Sequence, residues 1–234
     1  MCFYSKLSQD ALAIAKRFKA TYPSAGNYVP KDIINAYSYP STPVVTDMAP
    51  SVIQNFNWGL VPYWRLAPEN SGVIADKYRI ADLSIRKYTL NARIETVRST
   101  KSFKDSVNNR CLVIADGFYE WQHLFEKDVS SISSTRNGKI QKKKFLITLP
   151  DEEIFSFAGL YSSWTNPITG EIYNTYTVLT TEANELMSQI HNSKKRMPVI
   201  LRAEDEDRWL EHCDLEEFAY PYCVQLRAKA QNTL

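Results

Sequence analysis

The first clear hydrophobic pattern in the chain has helical spacing. Between residues 8 and 22 apolar side chains recur every three or four positions, Ser8 can cap the segment, and Pro23 ends it. The same spacing predicts a helix over residues 181–190 with Thr181 as its cap, and an acidic helix is expected over 203–212. The chain should therefore contain a few helices that lie far apart in sequence.

Strand-like segments occupy much of the remaining sequence. They are short runs of β-branched and aromatic residues, and the most apolar of them is 110–121, RCLVIADGFYEW. Further strands are expected within 28–64 and at 144–149, 154–164, 175–181, 197–201 and 222–226. Many strands, few helices and no regular alternation of the two predict an α+β fold with a curved or barrel-like sheet.

One segment interrupts this pattern. Residues 123–144 have a charged, serine-rich centre between strand-like flanks, which is typical of a flexible hairpin loop. The length of 234 residues suits one large domain or two small ones, and it is sufficient to bury a substantial core.

Composition and charge exclude several classes of protein. A net charge of +2 excludes a strongly basic nucleic-acid arm but allows a local basic face. The first residues lack the apolar core of a signal peptide and no stretch is long enough to span a membrane, so a protein of the reducing cytoplasm is expected. The four cysteines show no CxxC pairing, which predicts neither a zinc site nor a disulfide framework.

Cys2 is a candidate nucleophile because it directly follows Met1. Removal of Met1 would give Cys2 a free α-amine beside its thiol. Reference pKa values are about 7.7–8.0 for the amine and about 8.5 for the thiol, so both are partly deprotonated near neutrality. Such a pair adds to an aldehyde, the amine forming an imine and the thiol closing a thiazolidine. Taken alone, a cysteine at position 2 is better explained as an accident of the start site.

Two residues are candidates for proton transfer. Glu120 lies among aromatic residues in the strand-like segment 110–121, where desolvation would raise its pKa and suit it to acid–base work. The alternative is a glutamate on a strand face that meets water. His191 follows a predicted helix and can act as a proton shuttle or simply interact with the helix C-terminus. His123 and His212 are both expected to be merely exposed.

Other residues could bind a nucleic acid. Asn91 and Arg93 would point the same way from an extended segment, where an amide can orient an amine or a sugar and a guanidinium can clamp a phosphate. Trp58, Trp64 and Trp121 could stack on bases or pack in the core or at its rim. The basic runs 142–144 and 194–196 are either solvated faces or an electrostatic track for a single strand.

Taken together, these motifs resemble one family. The set comprises Met1-Cys2, Trp58-Gly59-Leu60-Val61-Pro62 with Trp64, Asn91-Ala92-Arg93 with Glu95, the segment 110–121, Phe157-Ala158-Gly159-Leu160, Leu179-Thr180-Thr181 with Ala183-Asn184, and Ile190-His191 with Arg196-Met197-Pro198. In this order they resemble the SRAP family (SOS-response-associated peptidase), the abasic-site processing proteins. The resemblance runs from Met1 to about Leu201.

The resemblance implies a fold and a reaction. The fold would be a single domain with a barrel-like mixed or antiparallel β core, flanking helices and a positively charged groove for single-stranded DNA. At an abasic site the ring-opened deoxyribose exposes an aldehyde, which the Cys2 amine attacks before the thiol closes the thiazolidine. The covalent crosslink shields the lesion in the DNA damage response. Neither metal nor cofactor is implied. The partner is single-stranded DNA containing abasic sites, and we expect a monomer without an obligate protein partner, in the cytoplasm at the nucleoid.

The resemblance also assigns roles to residues. Cys2 matches the nucleophile, Asn91 the residue that positions its amine, Glu120 the acid–base group, and His191 a second proton-handling group linked to ring opening and crosslink reversal. Matches to DNA-contacting positions are Arg93, Arg196, Trp58 in the motif that lines the groove, and Thr180 or Thr181. Lys194 or Lys195 would share the phosphate role of Arg196.

The chain departs from the family pattern in two places. Phe3-Tyr4 stands where many members have Gly-Arg, so a phosphate-binding arginine is missing at position 4. Residues 192–195 separate His191 from Arg196, which some members place closer together. Two other functions stay open: a cysteine-type peptidase that acts on its own leader through Cys2, Glu120 and His191, and a non-catalytic module that binds single-stranded DNA.

Overall fold

The computed structural model describes residues 2–65, 83–124, 141–151, 153–166 and 169–231. Its helices are α1 (Ala11–Arg17), α2 (Glu185–Ile190) and α3 (Glu206–Leu210). Its strands are β1 (Tyr4–Leu7), β2 (Lys31–Asn35), β3 (Ser41–Thr46), β4 (Ala49–Trp58), β5 (Asn91–Arg93), β6 (Arg110–Ala115), β7 (Gly117–Leu124), β8 (Gln141–Thr148), β9 (Phe155–Thr165), β10 (Ile172–Glu182), β11 (Arg196–Pro198), β12 (Ile200–Leu201) and β13 (Arg227–Gln231).

A closed ring of five strands forms the barrel. Antiparallel pairings run from β4 through β3, β6 and β9 to β10. A parallel pairing of β10 with β4 closes the ring, with Tyr176 opposite Trp58. Strands β5 and β11 extend the sheet from β10, and β12 extends it from β9. The predicted α+β fold with a barrel-like mixed core is confirmed.

A second, antiparallel sheet lies beside the barrel in the order β13-β8-β7-β1-β2. The predicted single strand over 110–121 is in fact two strands, β6 of the barrel and β7 of the second sheet. They are separated at Asp116, whose carboxylate accepts hydrogen bonds from Lys6 Nζ (3.1 Å) and from the backbone N–H of Ser8 (2.7 Å). A buried carboxylate needs such hydrogen-bond partners. At Asp116 the chain leaves the barrel and enters the second sheet. As a result β7 brings Glu120 alongside β1.

Close packing in the barrel depends on Gly159 of β9. A Cβ atom at this position would lie 2.8 Å from Cys111 Sγ and 2.8 Å from Val113 Cγ2, which is too close for any side chain. The ring of Trp58 stacks on that of Tyr176 with centroids 5.8 Å apart, and both residues are buried. These contacts fill the interior of the barrel.

The helices are shorter than their sequence patterns suggest. Helix α1 is capped by Asp10, whose carboxylate accepts from the backbone N–H of Ala13 at 2.8 Å, whereas the Ser8 hydroxyl donates to Asp116 at 2.9 Å. Helix α2 is capped by Asn184, because Thr181 still belongs to β10. The last strand is β13 at Arg227–Gln231 and not 222–226. Local side-chain caps thus begin α1 and α2, and pairing with β8 places the last strand.

The predicted hairpin at 123–144 is described only at its two ends. Strands β7 and β8 pair antiparallel up to His123 opposite Lys142 and Leu124 opposite Gln141. The serine-rich centre, residues 125–140, lies outside the described residues. Within the part of the chain that the structure describes, no helix is long and apolar enough to cross a membrane.

Candidate active site

Cys2 lies fully buried where the chain enters β1. Its Sγ donates a long hydrogen bond of 3.9 Å to the backbone carbonyl of Tyr4. Burial, followed by the nearby negative charge of Glu120, raises the pKa of the Cys2 thiol well above its ordinary range. The thiol is therefore protonated at neutral pH and is not a ready thiolate nucleophile.

Asn91 holds the backbone of Cys2 from the barrel side. It begins β5, which pairs parallel with β10, and its Nδ2 donates a 2.9 Å hydrogen bond to the Cys2 carbonyl oxygen. The other amide atom, Oδ1, is buried and accepts no hydrogen bond from the described residues. A buried acceptor without a donor is costly, so this atom is suited to receive one from a group that arrives beside Cys2.

Glu120 has the perturbed acidity expected of an acid–base group. It sits in β7 with only 5% of its surface exposed. Burial raises the pKa of Glu120 to about 7, against the opposing effects of the positive amino terminus and a backbone hydrogen bond. A carboxyl group with this pKa exists in both protonation states near neutral pH, as general acid–base catalysis requires.

His191 is the C-cap residue of α2 and is also buried. Its Nδ1 lies 2.8 Å from the backbone carbonyl oxygen of Arg196 and 3.2 Å from the Arg196 backbone nitrogen. Burial lowers the pKa of His191 to about 4, so the imidazole is neutral at pH 7. When Nδ1–H donates to the carbonyl, Nε2 keeps the lone pair that can accept a proton.

Glu120 and His191 line one cleft of about 440 Å³ together with Phe3, Tyr4 and Trp121. The remaining lining residues are polar or basic: His123, Lys142, Ser193 and Lys194. The negative charge of Glu120 helps to raise the pKa of the Cys2 thiol, so these two groups lie in one electrostatic environment. The structure thus brings together the predicted nucleophile, its amide partner and both proton-handling groups.

His123 belongs to this cleft, although its sequence context suggested an exposed loop histidine. Its backbone N–H donates to Asn192 Oδ1 at 3.0 Å, and Asn192 Nδ2 donates to its carbonyl oxygen at 2.8 Å. This reciprocal pair ties the end of β7 to the segment that carries His191. In the sequence, Asn192 stands out because it directly follows His191. Its position does not reveal that it pairs with His123.

Two of the predicted DNA-contacting cations are accessible. Arg93 at the end of β5 and Lys195 after α2 are both exposed. Arg196 is different, because it is buried and its guanidinium binds Glu95 through two hydrogen bonds of 2.9 and 2.8 Å. The same guanidinium donates to the Thr180 carbonyl oxygen at 2.7 Å. A phosphate at Arg196 would have to displace Glu95.

Three further predicted DNA contacts are buried in the fold. Trp58 is 1% exposed and its Nε1 donates to the Leu90 carbonyl oxygen at 2.8 Å, so neither ring face is open to a base. Thr180 Oγ1 donates to the Ala92 carbonyl oxygen at 3.2 Å, and Thr181 Oγ1 accepts from the Tyr220 N–H at 2.8 Å. These side chains pack at the barrel edge below the site, and their contact with DNA stays a prediction.

The described residues contain no cluster of three or more His, Cys, Asp or Glu side chains that could hold a metal ion. The cysteines at 2, 111, 213 and 223 are all free thiols.

The fold is similar to those of solved structures. A protein from Bacteroides thetaiotaomicron matches with a TM-score of 0.79 and 29% identity, over 99% of this chain and 92% of its own. A protein from Bordetella bronchiseptica matches with a TM-score of 0.73 and 24% identity, over 99% of this chain and 100% of its own, which shows a shared fold alone.

Curated relatives add similarity in sequence. Abasic site processing protein YoqW of Bacillus subtilis is 35% identical over 168 residues, which cover 71% of this chain and 61% of the relative. YoaM of the same organism is 32% identical over 193 residues, which cover 82% of this chain and 68% of the relative. Abasic site processing protein HMCES of Gallus gallus is 32% identical over 179 residues, which cover 72% of this chain and 48% of the relative. The alignments with YoqW and HMCES thus span about three fifths and half of those relatives.

The family model described as SOS response associated peptidase (SRAP) matches residues 1–230. Nearly the whole chain is covered, including every residue of the site described above. The chain therefore belongs to the SRAP family.

Proposed function

We propose that this protein recognises abasic sites in single-stranded DNA and crosslinks to them through Cys2 after removal of Met1. The observation that carries the proposal is the convergence of Asn91, Glu120 and His191 on the buried start of the chain at Cys2. The relatives YoqW, YoaM and HMCES are named abasic site processing proteins, which supports the same substrate. The crosslink would shield the lesion during the DNA damage response.

The proposed reaction joins the Cys2 amine and thiol to one carbon. The amine nitrogen attacks the aldehyde carbon, C1′, of the ring-opened deoxyribose to give a carbinolamine, which loses water to form an imine. The thiol sulfur then adds to the imine carbon and its proton passes to the nitrogen, closing the thiazolidine. One water molecule leaves overall, and no phosphodiester bond breaks.

Glu120 and His191 supply complementary proton transfers in this scheme. Ring opening requires a proton to leave the C1′ hydroxyl and another to reach the ring oxygen. Neutral His191, with its pKa lowered to about 4, acts as the acceptor, and protonated Glu120, with its pKa raised to about 7, acts as the donor. The same carboxyl group then assists proton transfer when the carbinolamine loses water to form the imine.

The protonation state of Cys2 favours crosslinking over peptidase activity. A cysteine peptidase needs a thiolate, and such cysteines have a lowered pKa in an electropositive environment. Here burial raises the pKa of the thiol, so the amine is the better first nucleophile. A peptidase that removes its own leader is the alternative function, and it predicts Cys2-dependent cleavage of unrelated peptides.

DNA binding would depend mainly on exposed cations around the cleft. Arg93 and Lys195 are exposed, and Lys142 and Lys194 line the cleft beside Glu120. Contacts of these residues to phosphates are independent of sequence, as recognition of a lesion that has no base requires. We infer that the protein acts as a monomer on DNA, without an obligate protein partner, in the cytoplasm at the nucleoid.

Incubation with a labelled single-stranded oligonucleotide bearing one abasic site tests the proposal. Wild-type protein should give an adduct that survives denaturing electrophoresis, and undamaged DNA should give none. Cys2→Ala should abolish the adduct, whereas Cys223→Ala, which removes a half-buried thiol outside the site, should retain it. An adduct with undamaged DNA, or one that persists in Cys2→Ala, would contradict the proposal.

A further inference from the structure

The cleft beside the proposed reaction centre has an aromatic wall. Tyr4 and Trp121 both line it, and their ring centroids are 4.9 Å apart at an interplanar angle of 63°. Phe3 also lines the cleft, and its ring packs on that of Tyr37 at 5.0 Å. Tyr4, Trp121 and Phe3 are only partly buried, in contrast to the core tryptophan Trp58.

The geometry of the Tyr4–Trp121 pair suits a planar ligand. In an edge-to-face pair, the ring that presents its edge keeps both faces uncovered by its partner. The positions of both rings are set by the backbone, since β1 and β7 are hydrogen-bonded neighbours in the second sheet. A stacking surface on paired strands is better ordered than one on a loop.

The charges at the cleft indicate what kind of planar group would bind there. Lys142 and Lys194 are exposed at its edge and attract anions, whereas the acid Glu120 is buried. A planar group linked to phosphates can stack on the aromatic wall while its phosphates contact the lysines. Tyr4 is two residues from Cys2, and Trp121 directly follows Glu120. The two rings are thus close in the chain to the predicted nucleophile and the predicted acid–base group.

We propose that Tyr4 and Trp121 form a stacking platform for the nucleobase next to the abasic site. This inference rests on the proposed function, because it takes single-stranded DNA as the ligand. It assigns to Tyr4 a role different from that of a phosphate-binding arginine: the ring contributes affinity by stacking, and this contribution does not depend on salt concentration. The lysines at the cleft edge supply the salt-dependent part.

A double-mutant cycle between Tyr4 and the DNA base tests the platform. The probe is a single-stranded oligonucleotide with one tetrahydrofuran abasic analogue, which has no aldehyde and cannot crosslink. Two further probes replace the 5′ or the 3′ neighbour of the lesion by a second tetrahydrofuran. Dissociation constants are measured by fluorescence anisotropy at several salt concentrations for wild type, Tyr4→Phe and Tyr4→Ala.

Loss of one neighbouring base should weaken wild-type binding by about 5- to 150-fold, the range for one base stacked on an aromatic side chain. Tyr4→Phe, which keeps the ring, should behave as wild type. Tyr4→Ala should bind the intact probe more weakly, lose much less affinity on base removal, and show an unchanged slope of log Kd against log salt. Lys194→Ala, as a matched comparison, should reduce that slope by about 0.7.

Additive effects of Tyr4→Ala and base removal would overturn the platform, as would equal weakening by Tyr4→Phe and Tyr4→Ala. Neither result depends on the aldehyde chemistry. A protein that crosslinks abasic DNA but shows no coupling between Tyr4 and the base would refute this inference alone. A protein that shows the coupling but forms no crosslink would refute the proposed function and leave the platform intact.

Discussion

The side-chain amide of Asn91 donates a 2.9 Å hydrogen bond to the backbone carbonyl of Cys2. This bond joins β5, which is paired to the barrel strand β10, to the segment that leads into β1 of the second sheet. Glu120 reaches the same place from β7, the neighbour of β1. The site is therefore assembled where the two sheets meet, and Asn91 fixes the position of Cys2 between them.

Asn91→Ala should slow adduct formation by about 10- to 100-fold, because small misplacement of a reacting group has effects of this size. The free energy of unfolding should fall by only about 1 kcal/mol, the usual contribution of one hydrogen bond. Single-turnover rates at saturating DNA, with denaturant unfolding as the control, separate the two effects. A rate within twofold of wild type would remove Asn91 from the mechanism.

Glu120→Gln should slow the reaction and change its pH profile. The wild-type rate requires a protonated Glu120, with its pKa at about 7, and a neutral amine, whose reference pKa is about 7.7–8.0. The rate should therefore peak between about pH 7 and 8 and decline at higher pH. Glutamine does not titrate, so the variant should be slower and should lose the decline above pH 8. Identical profiles for the two proteins would exclude Glu120 as the acid.

The stability of Glu120→Gln provides a control on folding. The pKa of Glu120 is raised from 4.5 to about 7, so between these values the folded protein binds more protons than the unfolded chain. Stability must then fall as pH rises through this window, by up to about 3 kcal/mol from this group. Denaturant unfolding at pH 5 and pH 8 should show this loss in wild type, and a smaller loss in Glu120→Gln.

Glu95→Gln should act on the reaction through His191. Glu95 holds the Arg196 guanidinium, and the Arg196 backbone contacts His191 Nδ1 at 2.8 and 3.2 Å. Loosening Arg196 should disturb the imidazole and slow adduct formation by about tenfold, within the range for a displaced acid–base group. Nitrogen NMR of the His191 ring reports its tautomer directly. An unchanged tautomer together with an unchanged rate would show that Glu95 is only structural.

Arg93 and Arg196 should respond differently to replacement by alanine. Exposed Arg93 is proposed to contact a phosphate, so Arg93→Ala should weaken DNA binding and reduce the salt slope by about 0.7. Arg196 is buried and its partner Glu95 is partly exposed, so Arg196→Ala should lower the free energy of unfolding by about 2 kcal/mol, the loss expected for hydrogen bonds to a charged group, and leave the slope unchanged. Anisotropy titrations at several salt concentrations decide between these roles. A reduced slope in Arg196→Ala would place DNA at that residue.

The sequence pattern predicted those features that depend on local chemistry. Alternating β-branched and aromatic residues indicated the strands, and their number indicated the α+β barrel. The aromatic setting of Glu120 indicated a desolvated carboxyl group, in agreement with its burial and raised pKa. His191 was identified because it follows a helical pattern and precedes a basic run.

Long-range partners account for what the pattern did not predict. Nothing local reveals that Arg196 pairs with Glu95, which lies 101 positions away, so the sequence pattern could not show that this cation has a buried partner. The split of 110–121 at Asp116 depends on Lys6 and Ser8, which are equally remote. Burial of Trp58 could not be distinguished from base stacking, because tryptophan serves both purposes.

The central claim is that the α-amine and thiol of Cys2 both bond to the sugar of an abasic site. Mass spectrometry of the trypsin- and nuclease-digested adduct tests it most directly, since cleavage after Lys6 isolates residues 2–6. The account predicts a peptide that begins at Cys2 and carries the deoxyribose remnant with the loss of one water, without any reducing agent. An unmodified Cys2 peptide, or a sugar attached to another residue, would contradict the account.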